Sequence, residues 1–111
     1  MIYKIFRNAE WTELSKNRVT AGAPIDVQDG YIHFSTAQQA AETAAKHFAG
    51  TGDLWLAALD ETKLGDKLIW EKSRNDDLFP HLYRRLSMED IIWCRPLPLV
   101  EGSHVFPDDL A

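Results

Sequence analysis

The stretch DGYIHFST, Asp29-Gly30-Tyr31-Ile32-His33-Phe34-Ser35-Thr36, runs directly into AQQAAETAAKHFAG at 37–50. Asp29-Gly30 is a turn signal, because glycine accepts the backbone angles that a tight reversal needs. Tyr31–Ser35 then reads as a strand. Side chains alternate along a strand, so Ile32 and Phe34 share a core face and Tyr31, His33 and Ser35 share the other. A helix follows. Ala37, Ala40, Ala41, Ala44, Ala45 and Phe48 recur at helical spacing, with Gln39, Glu42, Thr43, Lys46 and His47 off that stripe. Ser35 is the expected N-cap, and Gln38 stands three residues later as a capping box requires. Glu42 and Lys46 are ordered for an i, i+4 pair, and Gly50 ends the helix. A stripe made almost wholly of alanine lets a helix approach a sheet closely.

The flanking segments supply that sheet. IYKIF near the start alternates, with Tyr3 and Ile5 opposed by Ile2, Lys4 and Phe6. Asn8 is placed to cap a short helix over about residues 9–16, with Trp11 and Leu14 on one face. Residues 18–28 hold Gly22 and Pro24 and read as loop with some extended chain. Leu54–Leu59, LWLAAL, is apolar on both faces and reads as a central strand. Lys63–Gly65 reads as a turn and Leu68–Lys72 as a strand. SRNDDLFP at 73–80 reads as a loop or flap. His81–Leu86 and Ile91–Leu97 complete the strands, with a single helical turn over residues 87–90. The expected fold is α+β: one domain over 1–111, with its core over about 2–97 and an irregular tail over 98–111. About two helices pack on a five- or six-stranded, mainly antiparallel sheet.

Composition narrows the function classes. A chain of 111 residues, 45% of them hydrophobic, supports one ordinary core. It has no apolar run of membrane-spanning length, and MIYKIFRNAEW lacks the apolar stretch of a secretory signal. A cytoplasmic location is expected. The formal net charge of −5 opposes broad, salt-driven nucleic-acid binding, although Arg84-Arg85 forms a local basic pair. Cys94 lies in the apolar run IIWC and reads as a buried small hydrophobe. As a single cysteine it forms no internal disulfide, which suits a reducing compartment. His33, His47, His81 and His104 show no metal-ligand spacing, and no metal is expected.

Three short stretches carry residues that do chemistry. His33, Ser35 and Thr36 lead into a helix N-terminus, whose N–H groups and dipole attract phosphate or carboxylate. On local evidence the same residues are better explained by a helix cap and a packed strand histidine. WEKS sets Trp70 and Glu71 on opposite faces of a strand; the plain reading is core for Trp70 and solvent for Glu71. FPHLYRRL sets His81, Tyr83 and Arg85 on one face, and Leu82, Arg84 and Leu86 on the other. A histidine, a glutamate and a tyrosine can divide the roles of acid, base and orienter. Spacing alone does not say whether they converge.

DGYIHFSTAQQAAETA, DLWLAALDETKLG, IWE and LFPHLYRRLSMEDI together resemble the bacterial domain of unknown function 952 family, from about Ile2 to Leu97. The IHxST and FPHLY motifs are specific in combination. The resemblance implies a compact ADP-ribosyltransferase-like fold, its sheet in two halves with an NAD cleft between them. Residues 31–64 resemble a segment of the tRNA 2′-phosphotransferases that ends near an aspartate, here Asp60. The resemblance implies that His33, Ser35 and Thr36 line an NAD- or ADP-ribose-like pocket, with Lys4, Trp70, Glu71, His81 and Tyr83 beside it. The sequence also departs from the family pattern. Tyr3-Lys4-Ile5 stands where members usually carry YHI, and Arg84 stands where the usual LYG has glycine. The phosphotransferases' arginine–histidine pair is absent, with only Lys46-His47 at the helix end and Arg74 in the loop, so phosphotransferase activity is not expected.

Three functions follow as expectations. An NAD-cleaving or ADP-ribosyl-transferring enzyme would use Glu71 to stabilise a ribosyl oxocarbenium ion, with His33 or Lys4 on the ribose hydroxyls. A non-catalytic module would keep the cleft for a nucleotide or phosphometabolite. An interaction domain would use Trp11, Trp55, Trp70 and Trp93 only as core.

Overall fold

A computed structural model of the chain describes residues 1–73 and 76–110. The elements in chain order are β1 (Ile2–Arg7), α1 (Asn8–Asn17), β2 (Val19–Thr20), α2 (Pro24–Asp29), β3 (Ile32–His33), α3 (Ala37–His47) and β4 (Leu54–Leu59). Then come β5 (Leu68–Lys72), β6 (Leu78–Leu82), β7 (Leu86–Ser87), β8 (Ile91–Leu97), β9 (Leu99–Val100) and β10 (Ser103–His104). The fold is α+β, and every described strand pairing is antiparallel. One three-stranded sheet has the order β1-β4-β8 and a second has β3-β6-β5. An antiparallel bridge between Tyr3 and Ser35 ties the two together. Two short pairs, β2 with β7 and β9 with β10, complete the strands.

LWLAAL is the central strand, as its two apolar faces predict. Period-two alternation divides the core about the first sheet. Ile2, Phe6, Ala57 and Leu59 join Leu14, Ile32, Phe34, Leu82 and Leu86 on one face. Tyr3, Ile5, Leu54, Leu56, Ala58 and Leu97 join Ala44 of α3 on the other. Three tryptophans pack against the first cluster and Trp93 against the second, so all four serve the core. Lys4 falls on the same face of β1 as Ile2 and Phe6, and is drawn into the interior at 7% exposure.

Several sequence expectations are corrected. Helix α3 is capped by Thr36 rather than Ser35: Gln39 N–H donates to Thr36 Oγ1 at 3.2 Å, and Thr36 N–H donates to Gln39 Oε1 at 3.0 Å. Ser35 is unavailable because its backbone exchanges two hydrogen bonds with Tyr3, at 2.8 and 2.9 Å, which keeps it extended. Losing the Thr36 hydroxyl in Thr36→Ala is expected to cost about 1 kcal/mol, read from the urea midpoint. Asn8 lies inside α1 and accepts from Trp55 Nε1, while Arg7 N–H is capped by Glu10.

Residues 18–28, expected as loop with some extended chain, supply that extended chain as β2 but also contain most of α2, a third helix. Residues 73–80, expected as a loop or flap, give β6 from Leu78 onward, while Arg74 lies outside the described residues. Strand β3 is shorter than expected. Phe34 N–H donates to Pro80 carbonyl at 3.1 Å, but proline has no N–H to return, so the ladder stops at His33. The tail expected to be irregular forms the β9–β10 pair, and Phe106 and Leu110 pack against the core.

Candidate functional site

Helix α2 organises the site. Pro24 occupies its first turn, where a missing N–H costs nothing. The same turn brings Asp26, the third residue of the helix, inward to full burial. Its two oxygens accept four hydrogens. Oδ2 takes the Ala23 N–H at 2.8 Å and the Lys4 ammonium at 3.0 Å. Oδ1 takes the His33 N–H at 3.0 Å and His33 Nδ1 at 2.6 Å. Lys4 Nζ also donates to the His33 carbonyl at 2.9 Å, and lies near the Phe6 and Phe34 ring faces. Asp29, at the end of α2, accepts from His33 Nε2 at 2.9 Å. Both nitrogens of His33 are therefore held by carboxylates. Ionised carboxylates only accept, so holding both contacts at once requires hydrogen on both nitrogens.

Burial alone would raise the Asp26 pKa. The His33 hydrogen bond, the Lys4 charge and the backbone N–H groups outweigh it and hold the carboxyl at about 2, against 3.8 for a free side chain. A lowered carboxyl pKa stabilises the fold above the unfolded value and loses that contribution as pH falls through the folded one. Acid titration is expected to remove about 2 kcal/mol from this carboxylate between pH 4 and pH 2. The measurement is urea unfolding at a pH series, and Asp26→Asn should flatten that part of the curve.

A second constellation lies on the outer face of the other sheet. His33 pairs with His81 in register, and Ile69 with His81, so His33, His81 and Glu71 share the face opposite Ile32, Leu82 and Leu68. His81 Nδ1 meets Glu71 Oε1 at 2.8 Å, and Tyr83 OH donates to the same oxygen at 2.6 Å. The Tyr83 and His81 hydrogen bonds hold the Glu71 carboxyl below its usual range. The Glu71 contact in turn pushes the Tyr83 phenol up to about 12, so it stays a donor. Tyr31 stacks on His81 with centroids 4.1 Å apart, and lies 4.7 Å from His33 and 5.2 Å from Tyr83. Its phenol is raised by burial and by the Asp29 and Glu71 charges.

A cleft of about 530 Å³ opens along these groups. Lys4, Asp26, His33, Ser35 and His81 line it, with Arg7 on its rim. Arg7 holds Glu10 at 3.0 Å and lies over the Phe48 ring. Of the residues expected from sequence, Lys4, His33, Ser35 and His81 reach this cleft. Thr36 caps α3, and Trp70 packs into the core from β5. Glu71 and Tyr83 gather behind His81 and do not line the cleft. The helix N-terminus expected to hold an anion is partly closed by its own capping box. Ser35 instead pairs its hydroxyl with Thr43 at 3.0 Å.

Asp26, Asp29 and Tyr31 are central here, and sequence reasoning gave none of them a site role. Pro24 two residues before an aspartate is a helix-start signal that marks Asp26. Cys94, expected to be buried, is partly buried against the core, and burial pushes its thiol up to about 12. Among the described residues no group of three or more His, Cys, Asp or Glu is placed to hold a metal ion. Nor is any described helix long and apolar enough to cross a membrane.

Residues 5–94 match the family model described as protein of unknown function (DUF952). The chain belongs to the DUF952 family. It is similar to the crystal structure of protein CC0527 from Caulobacter crescentus, with 41% identity, a TM-score of 0.90, and coverage of 94% of this chain and 92% of that one. A double mutant of CC0527 gives 40% identity and the same TM-score of 0.90 and coverage. The solution structure of CC0527 gives 41% identity and a TM-score of 0.83, covering 93% and 89%. No curated protein matches. CC0527 shares this fold, and neither its description nor the family's states an activity.

Proposed function

We propose that this DUF952 member binds a nucleotide-like ligand of the NAD or ADP-ribose type in the cleft between its two sheets. The observation that carries the reading is the cleft itself, with Lys4, Asp26 and His33 on its floor and His81 in its wall. A pocket of about 530 Å³ lies within the range of small-molecule sites, which combine apolar walls with a few placed polar groups. Arg7 offers a cation to a diphosphate, and His81, with one ring nitrogen uncommitted, offers a hydrogen-bonding group to a ribose hydroxyl. The resemblance to the ADP-ribosyltransferase-like fold supports the same ligand class. Within this reading Lys4 acts chiefly on the protein, because its ammonium is committed to Asp26 and the His33 carbonyl. Glu71 does not line the cleft, so it supports His81 rather than a ribosyl cation. Cleavage of NAD or transfer of its ADP-ribosyl group is the reaction class that belongs to this proposal. A binding module without turnover is the second reading, favoured by the internal pairing of Lys4.

A thermal-shift series with ADP-ribose, NAD and inorganic phosphate tests the proposal. ADP-ribose or NAD should raise the melting temperature with concentration, as mass action requires, and His81→Ala should abolish the rise. Nicotinamide release from NAD would assign turnover; a shift without release would assign the binding module. No shift with either nucleotide would overturn the proposal.

A further inference from the structure

We infer that His81 is the proton acceptor of the cleft, that Glu71 and Tyr83 are its positioning residues, and that a bound ligand meets Nε2 with a hydroxyl group. The inference rests on the cleft reading above and deepens it by dividing the two imidazoles. His33 has both ring nitrogens engaged, by Asp26 and Asp29, and offers no lone pair. His81 has one nitrogen engaged. Glu71 only accepts hydrogens, so the 2.8 Å contact places the hydrogen on Nδ1. Nε2 then carries the lone pair, and it has no protein partner among the described residues. His81 lines the cleft and is 3% exposed, so what reaches Nε2 is a group inside the cleft rather than open solvent.

The ring is held on three sides. Tyr31 stacks at 4.1 Å with an interplanar angle of 27°. His33 meets it edge-on at 5.4 Å. Glu71 fixes Nδ1 and is itself fixed by the 2.6 Å bond from Tyr83. A carboxylate that orients imidazole and stabilises the imidazolium is the arrangement that general-base catalysis requires. The step is a proton transfer. The ligand O–H bond breaks, its electron pair stays on oxygen, an N–H bond forms at Nε2, and the other proton stays on Nδ1, donated in a hydrogen bond to the Glu71 carboxylate. Glu71 and Tyr83 reach solvent, their exposures being 39% for the Glu71 side chain and 42% for Tyr83. The positioning residues therefore stand outside the cleft, and replacing Glu71 leaves the core intact.

Two-bond ¹H–¹⁵N spectra of histidine-labelled protein test this. The neutral His81 ring should be the Nδ1–H tautomer in the wild-type chain. Glu71→Ala should lose that tautomer preference while the His33 signals and the melting transition stay in place. Tyr83→Phe should weaken the preference without abolishing it. Adding ADP-ribose should shift the Nε2 resonance. An Nε2–H tautomer in the wild type, or one indifferent to Glu71→Ala, would overturn the inference whether or not ADP-ribose binds. The expected tautomer with Nε2 unmoved by ADP-ribose and NAD would uphold the ring assignment and overturn the ligand class instead.

Discussion

Asp26→Ala is expected to destabilise the fold by about 3–5 kcal/mol, the cost of breaking a buried ion pair from one side. The deletion leaves the Lys4 ammonium 7% exposed and without its counter-charge. It also leaves the Ala23 and His33 N–H groups without their acceptors. Water replaces these bonds only at a cost, because Asp26 is 1% exposed and its partners are held among β1, α2 and β3. Asp26→Asn should cost less but not little. An amide has one acceptor oxygen, and its NH₂ must face donors already directed at the carboxylate. Lys4→Met in the Asp26→Ala background should recover part of the loss, since it removes the orphaned charge. Urea unfolding of the three variants measures this. Asp26→Ala within 1 kcal/mol of wild type would show that the pair does not hold the fold.

Gly22→Ala is expected to cost about 3 kcal/mol, for two reasons that separate experimentally. Gly22 has φ +101°, a region that L side chains rarely adopt, and an alanine there pays about 1–2 kcal/mol. An added Cβ would also lie 2.7 Å from Asp26 Cβ and 2.8 Å from its Cγ, and closer still to Oδ2. The carboxylate would have to leave the geometry that holds Lys4, Ala23 and His33. In an Asp26→Gly background, which removes Cβ, Cγ and Oδ2 together, the second reason disappears and only the backbone term is left. A double-mutant cycle should therefore show strong coupling. Additive losses would mean that Gly22 matters for its backbone alone.

Much of this structure was legible because alternation and helical periodicity report burial directly. LWLAAL gave the central strand, the alanine stripe gave the sheet-packed helix, and IYKIF gave the two faces of β1. The cap was misplaced by one residue because Ser35 with Gln38 and Thr36 with Gln39 offer the same spacing. The Tyr3–Ser35 bridge, a contact across 32 positions of sequence, decides between them. The site was legible in part. Alternation placed His81 and Tyr83 on one face and Glu71 opposite Trp70, but only the β5–β6 register brings the first three together. Trp70 shows the limit of resemblance: it suggested a cofactor neighbour, whereas alternation had already pointed to the core. Asp26 was missed because Gly22 and Pro24 read as loop, although here they serve a helix start and a close approach to its third residue.

The most direct measurement is a ¹H–¹⁵N amide titration of the labelled protein with ADP-ribose. A ligand in the cleft should move the amides of Lys4, His33, Ser35 and His81 together, on one binding curve. Ile92 and Val100, exposed on β8 and β9, should stay still. Shifts confined to those distant strands, or no shifts at saturating nucleotide, would contradict a ligand cleft between the sheets.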